Sequence, residues 1–374
     1  MSARTVVISI NASWNILNFR LAIVRSLQEA GWRVVALAPE DKTSEKLVAL
    51  GVGYEPIVMD KKGISPLQDL LLLFRYWKAL GRIRPEVALF YTAKPNIYGS
   101  LAAHLRGIKV INNVSGLGTA FIKKGLLTRI VSLLYRIAFG RSSTVFFQNS
   151  EDRDLFVAEG IVKLAKTRLL PGSGVDLDRF APPAAPGGRR REGFVFLLIG
   201  RILRDKGVYE YVEAARLVRL SHPEAEFRLL GFLDAENRTA IPREEVQRWI
   251  DEGLVTYLGE AEDVRPFIAA ADCVVLPSYR EGLPRTLLEA AAMAKPLIAS
   301  DVPGCRHVVE PGVNGLLCKA RDAGALADAM CAMIRASAAH RERWGLAGRA
   351  MVERKFDERV VADLYRGAIA DALA

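Results

Sequence analysis

Residues 273–293 read Cys273-Val-Val-Leu-Pro-Ser278-Tyr-Arg-Glu281-Gly-Leu-Pro-Arg-Thr-Leu-Leu-Glu289-Ala-Ala-Ala-Met293. The apolar run 273–277 predicts a buried strand, and 287–294 predicts a helix. Glu281 then sits on the strand-to-helix loop and Glu289 in the first turns of the helix, seven residues intervening. In an open parallel sheet, ligands bind in the crevice at the strand C-termini. A helix N-terminus there offers free N–H groups and partial positive charge, which suit phosphate. Carboxylates accept hydrogen bonds from hydroxyls. Two of them beside a phosphate site suggest a ligand that carries both phosphate and sugar. The bland alternative is a loop glutamate in water and a helix glutamate on a solvated face.

The context decides between them. Downstream stand Lys295-Pro-Leu-Ile-Ala-Ser-Asp-Val-Pro-Gly304 and Glu310-Pro-Gly-Val-Asn-Gly-Leu-Leu317. With Glu-x7-Glu on a strand–loop–helix, this pattern resembles the retaining family-4 glycosyltransferases. The resemblance covers nearly the whole chain and is strongest over 144–318. It implies an α/β fold of the GT-B type, two Rossmann-like doubly wound domains facing across a cleft. It also implies that Glu281 contacts the donor sugar and Glu289 the ribose.

Upstream, a strand over 194–199 precedes Gly200-Arg-Ile-Leu-Arg-Asp-Lys206-Gly. Gly200 lets the backbone turn towards a ligand. Arg201 and Lys206 place two cations beyond a strand end, where a departing diphosphate gains charge. The same pair resembles the family's diphosphate-binding residues. Their ordinary alternative is surface charge capping a helix. By the same resemblance, the loops at Gly231 and Gly259 lie on the donor side, the latter holding the nucleotide base through main-chain groups. Pro284 has no N–H, which leaves Leu283, Arg285 and Thr286 as amide donors near sugar and phosphate.

The chain has 374 residues, more than one core usually holds. Its clearest boundary is Ala181-Pro-Pro-Ala-Ala-Pro-Gly-Gly-Arg-Arg-Arg-Glu-Gly193, rich in proline, glycine and charge. The expected organisation is a first domain at 1–181, a linker at 182–193 and a second domain at 194–355. The segment 356–374 resembles the family's C-terminal helix, which returns to the first domain. In the first domain, a strand at 6–10, a helix at 17–30 and a strand at 33–38 make a βαβ unit. The loop between them lacks Gly-x-Gly-x-x-Gly, which argues against a dinucleotide. Acceptor-side candidates are Asn11, Ser13 and Trp14 of that loop, Lys94 after the strand at 87–91, and Ser115 and Gly116 after the strand at 109–113. Gly116-Leu-Gly118 resembles the acceptor loop of transferases that extend polyprenyl-diphosphate-linked sugars. Two short-range readings complete the pass: Ser150 as a helix N-cap, and Asp176-Leu-Asp178 as a helix start.

The net charge of +10 is uneven. Residues 1–180 hold 25 Lys/Arg against 14 Asp/Glu, a net +11, and residues 181–374 hold 27 against 28, a net −1. Residues 87–150 carry eight bases and no acid. Such a surface attracts polyanions. No nucleic-acid-binding motif accompanies it, so the expected partner is an anionic membrane and not nucleic acid. Residues 123–141, apolar at helical spacing with Arg129 and Arg136 on one face, have the composition of an interfacial helix. The alternative is an ordinary helix covering the sheet. No apolar run reaches the ~18–20 residues of a membrane span, and the N-terminus shows no signal-peptide core.

Four cysteines lack paired short spacing and fit a reducing cytoplasm, with neither a zinc set nor a disulfide framework. Four scattered histidines make no metal cluster. The expected reaction is therefore metal-independent and uses no cofactor. The family resemblance implies that a sugar, an N-acetylhexosamine or hexose, moves from a UDP-sugar to a polyprenyl-diphosphate-linked glycan, at the cytoplasmic face of the membrane. The alternatives are a nucleotide-sugar 2-epimerase and a non-catalytic subunit that binds sugar nucleotides.

Overall fold

The computed structural model describes residues 4–60, 65–116, 125–182, 193–233, 237 and 239–374. The chain divides into two compact units, Met1–Gly174 with Glu358–Ala374, and Val175–Asp357.

The first unit is built on β1 (Thr5–Ser9), β2 (Arg33–Ala38), β3 (Gly53–Pro56), β4 (Val87–Tyr91), β5 (Lys109–Val114), β6 (Thr144–Phe147) and β7 (Thr167–Leu169). They pair in parallel in the order β3-β2-β1-β4-β5-β6-β7. Their near-continuous apolar runs are what a sheet covered on both faces requires. Alternate residues serve opposite layers. Val6 and Ile8 pack with helices Leu21–Glu29 and Glu358–Leu373. Val7 and Phe90 pack with helices Pro66–Ile83 and Ser100–His104.

The second unit uses β8 (Val195–Ile199), β9 (Glu226–Leu230), β10 (Thr256–Tyr257), β11 (Cys273–Leu276), β12 (Leu297–Ser300) and β13 (Gly315–Cys318), parallel in the order β10-β9-β8-β11-β12-β13. The order reverses between β8 and β11. That reversal opens a crevice between the loops that follow these two strands, the place where open α/β sheets bind ligands. Those loops begin at Gly200 and at Pro277.

Several local expectations change. The helix expected over 17–30 is two helices, Ser13–Phe19 and Leu21–Glu29, broken at Arg20. Ser13 and Trp14 therefore belong to a helical first turn and not to an open loop. The N-cap of helix Ser150–Ala158 is Asn149, whose side chain accepts from the Asp152 N–H at 2.7 Å. Asp176 starts no helix. Its Oδ1 accepts from the N–H groups of Asp178 and Arg179, which makes a turn. Val175, Leu177 and Phe180 are buried in the core of the second unit, so that unit begins ahead of the proline-rich stretch. Of the stretch 182–193, residues 183–192 lie outside the described residues.

Candidate active site

The floor of the second unit's crevice is made by backbone. The Gly200 N–H donates to Leu230 O at 2.9 Å, and the Gly231 N–H to Gly259 O at 2.8 Å. The Tyr257 hydroxyl donates to Gly231 O at 2.8 Å. Gly231 has φ +144°, and a Cβ there would stand 2.0 Å from Gly200 O. Only glycine allows β8 and β9 to end this close together. Gly200, Gly231 and Gly259 are thus one hydrogen-bonded ledge at adjacent strand ends.

The next turn, Arg204–Lys206, is a single 3₁₀ turn ending at Gly207. Gly207 has φ +74°, and a Cβ would stand 2.0 Å from Pro277 O. The turn is thereby pressed against the end of β11. The Tyr279 N–H donates to Asp205 O at 2.9 Å and ties the two loops. The consequence is a charge pair: the Lys206 ammonium donates to Glu281 Oε1 at 2.5 Å. Its stem lies along Gly200. The opposite wall is the loop at Gly304, whose missing Cβ leaves 2.4 Å to Gly282 O. Cys305 behind it is buried, and burial pushes its thiol well above the usual range, with the Glu281 charge adding to the effect. It stays a thiol.

Glu289 lies on helix Arg285–Ala292 and is buried. The Arg285 Nε donates to its Oε1 at 2.7 Å. Burial raises the Glu289 pKa above the usual carboxylate value, and the charges of Arg285 and Arg179 oppose that rise. Asp263, held at 2.7 Å by Arg265, shows the opposite balance and sits low, the Arg265 hydrogen bond outweighing burial. The helix N-cap is the extended Pro284, with no capping side chain. Leu287 and Leu288 direct their N–H groups to Pro284 O. The amides ahead of them, Arg285 and Thr286, have no carbonyl four residues back within the helix. Leu283 packs against the adjoining core. Arg201 is exposed and has no ion pair among the described residues.

The geometry therefore joins Gly200, Lys206, Gly231, Gly259 and Glu281 at one strand edge, and pairs Arg285 with Glu289. The Arg285 pairing has a sequence signal, the i,i+4 spacing on a helix. The Lys206–Glu281 pair has none, because 75 positions separate the two.

The acceptor-side candidates follow β1, β4 and β5, three adjacent strands of the first sheet. Ser13 is buried and donates to Asp41, with Thr43 Oγ1 at 3.0 Å and Ser44 Oγ at 3.1 Å. Asn11 accepts from Asn15 at 3.1 Å. Lys94 is paired with Asp69 at 2.9 Å, so its charge is already compensated inside the unit. Ser115 is half-buried and Gly116 exposed, and residues 117–124 lie outside the described residues. Sequence reasoning missed the polar network behind them. Asn112 donates to Asn96 and Ser100 and accepts from Ser142, while Asn113 donates to the Tyr365 hydroxyl at 2.9 Å. Among the described residues, no group of three or more His, Cys, Asp or Glu stands close enough to hold a metal ion. No described helix is long and apolar enough to cross a membrane.

Residues 193–336 match the family described as glycosyl transferases group 1, and residues 18–173 match the glycosyl transferase 4-like domain. The chain is 27% identical over 371 residues, 95% of each protein, to the N,N'-diacetylbacillosaminyl-diphospho-undecaprenol alpha-1,3-N-acetylgalactosaminyltransferase of Campylobacter jejuni. It is 26% identical over 279 residues, 72% of this chain and 71% of the other, to the UDP-Gal:alpha-D-GlcNAc-diphosphoundecaprenol alpha-1,3-galactosyltransferase of Escherichia coli. In fold it matches Anabaena HepE in complex with UDP-glucose at a TM-score of 0.80, with 18% identity over 99% of each chain. It matches the sucrose-phosphate synthase of Thermosynechococcus elongatus at 0.78, with 20% identity over 98% of this chain and 99% of the other.

Proposed function

The chain belongs to the glycosyltransferases of the GT-B fold, and on that premise we propose that it transfers an N-acetylhexosamine or hexose from a UDP-sugar to a polyprenyl-diphosphate-linked saccharide. Transfer retains the anomeric configuration, needs no metal, and takes place at the cytoplasmic surface of an anionic membrane. The observation that carries this reading is the Lys206–Glu281 pair at the β8/β11 switch point, beside the glycine ledge.

The chemistry follows from these residues. The C1–O bond to the diphosphate breaks and its electrons stay with the phosphate oxygen. Lys206, with Arg201 beside the ledge, holds that growing charge, as a preorganised cation does. Glu281 orients the sugar and faces the positive charge that develops at C1. Glu289 fixes the ribose hydroxyls, and the Thr286 amide with its helix N-terminus favours a phosphate oxygen. The acceptor hydroxyl forms the new C1–O bond on the face the diphosphate leaves, and its proton passes to the departing phosphate. Two relatives named for undecaprenyl-diphosphate-linked acceptors support the same substrate class here.

The test is a panel of UDP-sugars with a short polyprenyl-diphosphate saccharide, read by mass spectrometry, with and without EDTA. One donor is expected to give a product heavier by one sugar, with the chelator making no difference. UDP binding without product from any donor would point to a binding subunit. An epimer formed from donor alone would point to the isomerase.

A further inference from the structure

Helix Pro66–Ile83 turns Leu72, Tyr76, Ala79 and Leu80 into the core of the first unit. Its other side is apolar as well. Leu67, Leu70, Leu71, Phe74 and Trp77 are all exposed, Leu67 at 67% and Leu70 at 62%. A helix apolar on both sides is normally buried on both sides. The same layer carries helix Leu126–Phe139, where Ile130, Leu133 and Ile137 are exposed in a second outward stripe. Pro95–Gly99 and Ser100–His104 lie between the two helices and contact both.

The rim of this face is basic. Lys78, Arg84, Arg106 and Arg129 are exposed along it. The nearby acids Asp69 and Glu55 are taken up by Lys94 and Arg82. The aromatic residues are also held in place. Phe74 and Trp77 stack at 6.0 Å, and the Arg106 guanidinium lies 4.1 Å from the Trp77 ring centroid. The Arg106 Nε donates to Trp77 O at 2.5 Å.

We propose that this face, with Phe74 and Trp77 as its anchors, is where the enzyme seats on an anionic phospholipid bilayer. This rests on the reading above that the acceptor is lipid-linked, and it moves the principal contact from residues 123–141 to helix Pro66–Ile83. Aromatic and aliphatic side chains enter the headgroup boundary while the bases meet lipid phosphates. A protein partner would bring acids of its own. A bilayer needs only apolar depth and a cationic rim, and both are present.

The experiment is flotation with vesicles of equimolar phosphatidylglycerol and phosphatidylcholine. The native chain is expected to float, and the Phe74→Ser/Trp77→Ser double variant to lose about tenfold or more in bound fraction. Leu133→Ser/Ile137→Ser is expected to lose less. Both variants should keep native turnover on a short, water-soluble acceptor, since these side chains face away from the core. Brominated lipid should quench the native tryptophan emission, and Trp77→Phe should abolish most of that quenching. A double variant that floats like the native chain overturns this surface and leaves the lipid-linked acceptor standing. A native chain that never floats, yet elongates the short acceptor, overturns the membrane seat altogether.

Discussion

Lys206 and Glu281 have side chains 24% and 13% exposed, so neither charge is fully solvated when its partner is removed. Lys206→Ala is expected to lower kcat by about 10²–10³-fold, the usual cost of one preorganised charge contact. Arg201→Ala should lower kcat as well, but by less, because Arg201 is exposed and its charge is better screened. Steady-state rates beside titration calorimetry check this, and a variant that loses UDP affinity with kcat unchanged would contradict the role given to its cation. Glu289 invites a pH experiment. Its folded pKa is raised, mainly by burial. The stability it contributes is thus present in full below its unfolded pKa and lost as pH rises through the folded value. Glu289→Gln should therefore raise the melting temperature more at pH 8 than at pH 4, while removing nucleotide affinity at both. A gain that is larger at low pH would reverse the sign and refute the burial argument. At this scale the sequence singled out Arg201, Lys206, Glu281 and Glu289 as candidates, because motif spacing is local. It did not show that Lys94 is neutralised by Asp69, 25 positions away, or that Ser13 is spent on a buried hydrogen-bond cluster.

At the scale of elements, the ledge depends on how closely strand ends can approach. Gly231→Ala would put a methyl 2.0 Å from Gly200 O at φ +144°, whereas Gly259→Ala, at φ +76°, meets nothing within 4 Å. The second substitution is expected to cost about 1–2 kcal/mol of backbone strain. The first should cost clearly more and abolish UDP binding, because β8 and β9 must separate. Chemical denaturation with a UDP titration checks this, and equal costs would show that the ledge tolerates a gap. Periodicity marked strands β1, β2, β4, β5, β8 and β11, since each buries apolar side chains. It passed over the break at Arg20, where the apolar pattern runs on through two helices. It also chose Ser150 over Asn149 as the cap, although either side chain can accept the helix's free N–H groups.

At the scale of the whole molecule, the last helix belongs to the first unit. Val361, Tyr365 and Ile369 are buried in its core, and Tyr365 lies 4.9 Å from Phe146, ring to ring. Tyr365→Ala is expected to destabilise that unit by about 3–5 kcal/mol. A two-unit chain need not unfold in one step. The expected outcome is an earlier first transition in calorimetry, with the transition of the second unit unmoved. A downward shift of the whole curve would instead mean that the units melt together.

The strand–helix–strand order over 6–38 was enough to specify a parallel sheet in the first unit, because a crossover connection is decided by neighbouring residues, and the family resemblance supplied the second. The spacing of Glu281 and Glu289 was likewise local, and it located the crevice before any coordinate. Tertiary structure alone decided which charges meet. Lys206 reaches Glu281 only because β8 and β11 become neighbours where the strand order reverses. It also decided which side of helix Pro66–Ile83 is left bare. Both sides are apolar, and only packing on the sheet determines which of them the core can cover.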